Sequence, residues 1–417
     1  MKRSSPVGSK SSLTLKPRKF VAGGAALATA PDGRAVFIEG ALPGETVVAS
    51  VRKSARDYLI AELERVVEPA PERITPACPA VARGCGGCNW QHVDPAQQHA
   101  FKTAIVADAL TRTARITDVP VRTGGRVPAA GYRTTLRVML DRDGKPAFRR
   151  AGSHLPVVVE DCLVAHPALA ALLAELRLPG AAEAQLRVSA HDQTCTLSWS
   201  PAGTAPGRMI PAALVAGPDT AIVEVIRDIP LRVSSESFFQ SGAAAAEILV
   251  DAVARAAGSP ESWGSAPVVD AYGGVGLFSA TVVPEDRAVI LVEANPLACA
   301  DAAVNLCGRP AEIVALEVEH WKPTRAGLVI ADPARAGLGR EAVTILSRCQ
   351  APLLVLVSCD PVAFARDTGL LAEAGYRLTD CETLDLFPHT HHVEVVSRFE
   401  RADTGKGKRV STGKRTS

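Results

Sequence analysis

Three apolar runs in the C-terminal half of the chain end in side chains that can do chemistry. The run at residues 353–358 leads into Cys359 and an Asp-Pro turn, and two earlier runs lead into Glu293 and Asp332. Uninterrupted apolar runs of this length are typical of strands buried on both faces of a parallel sheet. Because ligands bind at the carboxyl edge of such sheets, Cys359 is a candidate nucleophile. The alternative is a buried core cysteine, the usual state of a free thiol.

A glycine-rich turn, DAYGGVG at residues 270–276, follows the first strand of this half. Such a turn lets a ligand approach the backbone at the start of a helix, and it also suits nicotinamide dinucleotides. Here Ser279 occupies the third glycine position of the dinucleotide pattern, and Asp270 would repel a pyrophosphate. Both features favour a cationic cofactor without phosphate, such as S-adenosylmethionine. Glu293, at the end of the next strand, is positioned to accept hydrogen bonds from ribose hydroxyls.

Near the C-terminus, the segment FPHTHHVE at residues 387–394 contains three imidazoles and a carboxylate. Its spacing matches no closed metal site. We therefore interpret Glu394 as a general base.

A second group of reactive side chains lies in the N-terminal half, where Cys78 is followed by the pair Cys85-Gly-Gly-Cys88. Ten cysteines in a cytoplasmic chain are expected to be metal ligands, catalytic thiols or core residues rather than disulfides. We expect the following cysteines in the core: Cys195, Cys299, Cys307, Cys349 and Cys381.

The elements that must position these residues predict an α/β protein in several parts. Short strands between glycine turns indicate a small N-terminal β-barrel, and apolar strands alternating with helical stretches indicate a doubly wound, Rossmann-like sheet. The predicted parts are a disordered basic tail at 1–17, the barrel at 18–70, an α/β middle domain with the cysteine cluster at 78–235, the Rossmann-like domain at 236–400, and a basic tail at 401–417.

Charge is distributed unevenly along the chain. Residues 1–20 contain six Lys or Arg, and residues 401–417 contain another six beside one acid; the remainder carries 34 basic and 43 acidic residues. A polyanion would be attracted through the tails and through local basic patches of the body. The alternative is that the tails only maintain solubility. The first twenty residues lack the apolar core of a signal peptide, and no uncharged apolar run reaches the length of a membrane span, so we expect a cytoplasmic protein without membrane partners.

Five motifs occur in an order that resembles the RNA 5-methyluridine methyltransferases that use S-adenosylmethionine. They are FFQ at 238–240, DAYGGVG at 270–276, DPARAG at 332–337, SCDP at 358–361 and FPHTHHVE at 387–394. Residues 23–45 resemble a TRAM domain. Three N-terminal cysteines, together with one in the segment EDCLVAHP, resemble the [4Fe–4S] site of the ribosomal-RNA branch of this family.

The resemblance implies a role for each of these positions. The residues that would bind S-adenosylmethionine are Gln240, Tyr272, Gly274, Gly276, Glu293 and Asp332. The residues that would bind the [4Fe–4S] cluster are Cys78, Cys85, Cys88 and Cys162, although spacing alone does not distinguish such a cluster from zinc. The partner would be structured RNA, with 23S rRNA favoured and tRNA as the alternative, bound by a monomer.

The chemistry of uracil agrees with the implied roles. Uracil C5 is too weak a nucleophile to attack a sulfonium methyl group, so a thiolate must first add to C6; this is the role of Cys359. The C5 proton must leave before the thiol is eliminated, which gives Glu394 its role as base. The target base would have to leave its stack to reach this edge of the sheet.

Two rival functions remain open on the sequence. Methylation of an exocyclic amine would require a motif such as Asn-Pro-Pro-aromatic at the end of the third strand, where this chain has DPAR. A non-catalytic RNA-binding or assembly factor with a structural metal cluster predicts that Cys359 is dispensable.

Overall fold

A computed structural model of the protein describes residues 12–201, 214–217 and 219–402. The predicted basic tails therefore lie outside the described residues, except for residues 12–17 and 401–402. The sequence assigned residues 1–17 to a disordered tail, but Ser12–Leu15 forms a strand. It pairs antiparallel with Thr46–Ser54, and Leu15 is buried in the core beneath. Burial of this leucine stabilises a strand within the segment that was predicted to be disordered.

The N-terminal part is a six-stranded sheet with the order β1-β5-β6-β4-β3-β2. Its strands are β1 (Ser12–Leu15), β2 (Lys19–Phe20), β3 (Ala26–Thr29), β4 (Ala35–Glu39), β5 (Thr46–Ser54) and β6 (Tyr58–Glu68). Val36 and Ile38 alternate with half-exposed residues along β4 and are fully buried, as expected for a sheet with one buried face. The core beneath also includes Trp90, Val93 and Ile105 from the following segment.

The middle part contains a second six-stranded sheet and a separate hairpin. The sheet has the order β10-β9-β8-β11-β12-β13, and the hairpin is β14-β15. Its strands are β8 (Thr135–Leu140), β9 (Pro146–Arg149), β10 (Pro156–Val158), β11 (Glu183–Val188), β12 (Cys195–Ser200), β13 (Leu214–Ala216), β14 (Ala221–Ile226) and β15 (Ile229–Ser234). Its helices are α1 (Pro79–Ala82), α2 (Pro95–Ala109), which continues as a π-helical turn at Leu110–Ala114, and α3 (Pro167–Glu175).

The C-terminal part is a mixed sheet of eight strands with the order β18-β17-β16-β19-β20-β22-β21-β7. Its strands are β7 (Val121–Arg126), β16 (Val268–Ala271), β17 (Val289–Val292), β18 (Ala311–Val314), β19 (Leu328–Ala331), β20 (Leu353–Ser358), β21 (Tyr376–Asp385) and β22 (Glu394–Arg401). Its helices are α4 (Ala243–Ala257), α5 (Leu277–Thr281), α6 (Pro296–Asn305), α7 (Gly339–Ser347) and α8 (Pro361–Glu373). Strands β16 to β20 are parallel, and β22 is antiparallel to β20.

Burial on both faces confirms the strand predictions for this sheet. In β20, Val355 belongs to the core on one face, whereas Leu354 and Leu356 belong to the core on the other. All six residues of β20 are buried. Such strands tolerate apolar residues at every position, which is why the sequence shows continuous runs instead of alternation.

One element crosses the predicted boundary between the middle and C-terminal domains. Strand β7 lies within the predicted middle domain, but it pairs parallel with β21 and forms the outer strand of the C-terminal sheet. It covers the backbone edge that β21 would otherwise expose. The region 78–235 is therefore divided between two sheets. None of the described helices is long and apolar enough to cross a membrane.

Candidate active site

The carboxyl ends of the parallel strands bring several predicted site residues to one edge of the sheet. Ala271 is opposite both Val292 and Ala331 in the two flanking ladders. The residues that follow these three positions, Tyr272, Glu293 and Asp332, therefore emerge side by side. Strand order reverses direction between β16 and β19, which is the place where open α/β sheets bind ligands.

The proposed nucleophile and base lie on neighbouring antiparallel strands. Ser358 is opposite Val395 in the ladder between β20 and β22. Cys359 directly follows Ser358 and Glu394 directly precedes Val395, and the Glu394 carboxyl group is close enough to raise the pKa of Cys359. Cys359 is half-buried and Glu394 is 7% exposed. A thiol that retains access to the sheet edge differs from the sealed core cysteine that was the alternative.

Burial and neighbouring acids favour the protonated forms of both groups in the ligand-free site. Burial, together with Glu394 and Asp332, raises the pKa of the Cys359 thiol to about 12, and the Arg335 guanidinium opposes this shift. Burial also holds the pKa of Glu394 well above its usual value, with Asp332 adding to the shift. Ionisation of this cluster therefore requires a positive charge or a proton acceptor nearby.

Two further carboxyl groups share this environment. Burial raises the pKa of Asp332 to about 7, and the neighbouring Asp270 adds to the shift. Asp270 is fully buried and accepts hydrogen bonds from the backbone N–H of Ser279 at 3.0 Å and from its hydroxyl at 2.6 Å. Its other oxygen has no partner among the described residues. Asp270 thus holds the start of α5, and a cationic ligand beside these acids would be electrostatically favoured.

The glycine turn exposes its backbone to this crevice. Gly274 and Gly276 have φ angles of 54° and 88°, in the region that favours glycine. A Cβ atom on Gly274 would meet no atom within 4 Å, so the space in front of its backbone is open. By contrast, a Cβ atom on Gly273 would lie 2.6 Å from the side chain of Leu291. The turn therefore packs against β17 on one side and admits a ligand on the other.

The remaining predicted cofactor residues have different partners. Glu293 accepts hydrogen bonds from the backbone N–H groups of Gly274 at 3.0 Å and Asn295 at 2.7 Å. The Tyr272 hydroxyl donates to Glu319 at 3.0 Å. Gln240 is buried, and its side-chain amide makes no hydrogen bond to the rest of the described chain. A bound ribose would therefore have to share the oxygens of Glu293 with the backbone.

The imidazoles of the segment 387–394 support the loop that ends at Glu394. Arg335 approaches His392 Nε2 at 3.2 Å, and Asn89 approaches His391 Nδ1 at 2.6 Å. Burial, with the neighbouring His391 and Arg335, lowers the pKa of His392 to about 3, so this ring is neutral. Each imidazole therefore acts as a packing and hydrogen-bonding group.

The four cysteines of the predicted cluster lie close enough to influence one another. Burial raises the pKa of Cys88 to about 11, and Cys162 and Cys85 add to the shift. Burial also raises the pKa of Cys162, with Cys78 and Cys85 adding. The thiols are half-buried between the core of the middle sheet and one core of the C-terminal sheet. Their donor chemistry suits a soft metal or an iron–sulfur cluster.

The positions of the side chains do not by themselves define a coordination geometry. Across residues 12–201, 214–217 and 219–402, no group of three or more His, Cys, Asp or Glu side chains is arranged as a metal-ligand set. Of the five cysteines expected in the core, Cys307 is exposed, contrary to the prediction. It follows the end of α6, where the chain turns at the surface.

Comparison with known proteins identifies the family. Residues 8–63 match the TRAM domain. An uncharacterized RNA methyltransferase of Streptomyces coelicolor is 34% identical, covering 92% of this chain and 91% of its own. The 23S rRNA (uracil(1939)-C(5))-methyltransferase RlmD of Aeromonas salmonicida is 30% identical, covering 88% of this chain and 91% of its own.

The chain belongs to the RNA uracil-C5 methyltransferase family. A solved structure supports the fold: the tRNA (uracil-54, C5)-methyltransferase of Pyrococcus abyssi, in complex with S-adenosyl-L-homocysteine, aligns with a TM-score of 0.70 at 20% identity. The alignment covers 93% of this chain and all of that one. The predicted fold class, a Rossmann-like methyltransferase domain behind a TRAM domain and an α/β middle domain, is confirmed. The β1 and β2 strands are the outer strands of the N-terminal sheet, so barrel closure stays a prediction.

Sequence reasoning missed the residues of this methyltransferase that connect α2 to the active-site loop. Lys102 is fully buried and donates to Asp385 at 2.6 Å and to the Phe387 carbonyl at 3.0 Å. Gln98 accepts a hydrogen bond from the backbone N–H of His389 at 2.6 Å. Four-residue spacing of Gln98 and Lys102 on one face was a signal, but polar side chains on a helix ordinarily face solvent.

The TRAM domain also touches this loop. A Cβ atom on Gly24 would lie 2.6 Å from Cβ of His391, and the Gly24 carbonyl accepts a hydrogen bond from the Trp90 indole at 3.0 Å. The backbone N–H of Trp90 in turn donates to the His389 carbonyl at 2.8 Å. The N-terminal domain and the loop that ends at Glu394 are therefore in direct contact.

Proposed function

We propose that this enzyme transfers a methyl group from S-adenosylmethionine to C5 of a uridine in 23S rRNA through a covalent adduct of Cys359. The observation that carries this proposal is the proximity of Cys359 to Glu394 and Asp332, next to the paired residues Ser358 and Val395. The 23S rRNA substrate is supported by the name of the Aeromonas relative. The cofactor is supported by the ligand of the Pyrococcus structure.

The chemistry of the ligand-free site suits a cationic cofactor. When bound, S-adenosylmethionine supplies an electrophilic methyl group on a positively charged sulfur. Asp332 and Asp270 would offer their carboxyl groups to the cationic end, Gly274 would allow close approach to the backbone, and Glu293 would bind the ribose hydroxyls. A positive charge beside Asp332 would also favour ionisation of Cys359.

Two residues of the chain carry the bond changes. After its proton has left to solvent, Cys359 Sγ forms a bond to uracil C6, and the electron pair of the C5–C6 double bond moves into an enolate. The enolate C5 then takes the methyl group, with neutral S-adenosylhomocysteine as the leaving group. Glu394 accepts the C5 proton, the C5–C6 double bond re-forms, and the C6–S bond breaks with its electron pair returning to Cys359.

The test is to trap the adduct with Glu394→Gln. With 23S rRNA and S-adenosylmethionine, this variant should form a protein–RNA adduct that migrates slowly in a denaturing gel. The adduct should be absent when Cys359→Ala is added, and Cys307→Ala should behave as the unmodified enzyme because this thiol lies outside the site. A Glu394→Gln enzyme that turns over normally would assign the base to another residue.

Mapping 5-methyluridine in total RNA of a deletion strain tests the substrate. Loss of one 5-methyluridine from 23S rRNA is expected. Loss from tRNA would transfer the proposal to tRNA, and an unchanged map with altered ribosome assembly would favour the non-catalytic rival. Cytoplasmic location and a monomeric state remain predictions.

We further propose that Cys78, Cys85, Cys88 and Cys162 hold a [4Fe–4S] cluster, with zinc as the alternative. The support is their mutual proximity and the soft donor chemistry of four thiols. A brown anaerobic preparation with bound iron and sulfide is expected. A colourless preparation with stoichiometric zinc would refute the cluster.

A further inference from the structure

A cavity of about 560 Å³ opens beside the cysteine loop, against strands of the middle sheet. It is bordered by β8 and β9, by Glu183 at the start of β11, and by Gly86 and Gly87 between two of the cysteines. Its volume is within the range of about 300–1,000 Å³ that is usual for ligand sites. None of its lining residues belongs to the catalytic machinery described above.

The lining of this cavity is basic. Three arginines contribute to it, Arg137, Arg149 and Arg150, and Glu183 is the one acid among the described lining residues. Elsewhere the body of the protein carries more acids than bases, so this concentration of guanidinium groups is against the general trend. A local positive field of this kind attracts anions.

The charges are arranged so that two arginines are oriented and one is unpaired. Glu183 accepts hydrogen bonds from Arg137 at 2.8 and 3.1 Å and from Arg149 at 3.2 Å, which fixes both guanidinium groups along the rim. Arg150 has no acidic partner within the described chain. Its guanidinium lies over Gly84, where an added Cβ atom would be 2.8 Å from Nη1. Each guanidinium group carries five donors, so unused N–H groups remain at the cavity.

The glycines let the loop lie close to the opposite strand. The backbone N–H of Gly86 donates to the Arg149 carbonyl at 2.9 Å, and a Cβ atom at Gly86 would lie 2.9 Å from the backbone of Ala151. Gly87 is exposed. The wall of the cavity is therefore built from backbone, with the guanidinium groups of Arg149 and Arg150 beside it.

We propose that this cavity binds a phosphate group of the RNA backbone at a distance from the target uridine. The inference rests on the proposed RNA substrate. A phosphodiester matches both the planar guanidinium donors and the positive charge, and such contacts fix position without reading sequence. The site would help to hold a folded RNA while the uridine enters the crevice at the other sheet.

The test is the salt dependence of RNA binding by the full-length, metal-loaded enzyme. Arg150→Ala should weaken binding of a 23S rRNA transcript and of an unrelated RNA to the same degree, at least about threefold, and should reduce the slope of log K against log salt by about 0.7–0.9. The matched control is Arg377→Ala, an exposed arginine on β21 of the C-terminal sheet, which should change neither quantity.

Glu183→Gln separates a binding role from a structural one. Removing the acid frees two guanidinium groups, so RNA should bind more tightly at low salt, whereas a purely structural Glu183 would make binding weaker. Methyl transfer at saturating RNA should be unchanged in Arg150→Ala, with a higher KM for RNA. Unchanged RNA binding by Arg150→Ala would overturn the proposed phosphate site and leave the proposed catalysis intact. Absence of methyl transfer by the native enzyme would refute the proposed catalysis and leave the phosphate site intact.

Inorganic phosphate distinguishes the two sources of the anion. If the cavity serves RNA, phosphate at millimolar concentration should weaken RNA binding by the native enzyme and have less effect on Arg150→Ala. Tight binding of free phosphate together with unaltered RNA affinity in Arg150→Ala would assign the cavity to a small anion and overturn the RNA proposal.

Discussion

Replacing Lys102 by methionine should break the link between α2 and the active-site loop. The ammonium group is completely buried, and its two acceptors are the Asp385 carboxylate and the Phe387 carbonyl. Burial lowers the pKa of Lys102, while the nearby Asp385 opposes the shift. Methionine has a similar length and keeps the apolar packing of the stem, so the change removes chiefly the charge and the hydrogen bonds.

The expected cost follows from leaving an acid buried without its partner. Breaking one side of a buried ion pair destabilises a protein by about 3–5 kcal/mol. In the double variant Lys102→Met/Asp385→Asn the unpaired charge is gone, and most of this cost should be recovered. A coupling free energy of about 2 kcal/mol or more between the two positions is therefore expected. The Phe387 carbonyl still lacks its donor in the double variant, so the loop should stay loosened.

Hydrogen exchange measured by mass spectrometry is the appropriate assay, because several sheets in one chain need not unfold as a single unit. Peptides that cover residues 386–395 should lose protection in Lys102→Met and in the double variant. Peptides from β16 and β17, on the far side of the sheet, should be unaffected. The rate of methyl transfer should fall in both variants, since Glu394 ends this loop.

Two results would refute this reasoning. The first is a Lys102→Met enzyme with normal protection of the loop. The second is a double variant that is no more stable than the single one, which would mean that the cost comes from packing and not from the unpaired carboxylate.

Three other perturbations have outcomes that the structure specifies. Gly24→Ala should slow methyl transfer, because the new Cβ atom would overlap His391. The control is Gly23→Ala: Gly23 has a similar φ of 91°, but its new Cβ atom would meet no atom within 4 Å, so this variant should lose only about 1 kcal/mol of stability and keep its activity. Equal activities of the two variants would exclude the contact with His391 as the cause. Burial raises the pKa of Asp332 to about 7 in the folded ligand-free protein, so the folded state binds the extra proton and its stability falls as pH rises from about 4 to 7. Asp332→Asn should remove this fall and be more stable than the native protein at pH 7.5 by up to about 4 kcal/mol, but not at pH 4, as read from thermal unfolding. Because the pKa of Cys359 is about 12, the rate at which iodoacetamide alkylates it in the ligand-free enzyme should rise about tenfold per pH unit from pH 7 to pH 10, without a plateau. A plateau below pH 9 would show that the thiol ionises more easily than its burial implies.

The sequence by itself determined the local features of the site. Continuous apolar runs predicted the parallel strands, because a strand that is buried on both faces needs no alternation of apolar and polar residues. The end of each run then placed Glu293, Asp332 and Cys359 at one edge. An Asp-Pro pair is also a local signal for the start of a helix: α2 begins at Pro95, and the Asp94 carboxylate accepts a hydrogen bond from Ala96 N–H at 2.9 Å.

Only the tertiary structure decided which distant segments complete the site. Glu394 reaches Cys359 because β22 returns antiparallel beside β20, and periodicity along the chain specifies burial but not the pairing partner. Lys102 and Gln98 lie on the polar face of α2, and polar side chains on a helix are expected to be exposed to solvent. In the folded protein, however, a loop nearly three hundred residues later in the chain packs against this face. The local sequence pattern indicates which chemistry is available to a side chain. The neighbours that determine its charge, its pKa and its orientation come from long-range packing.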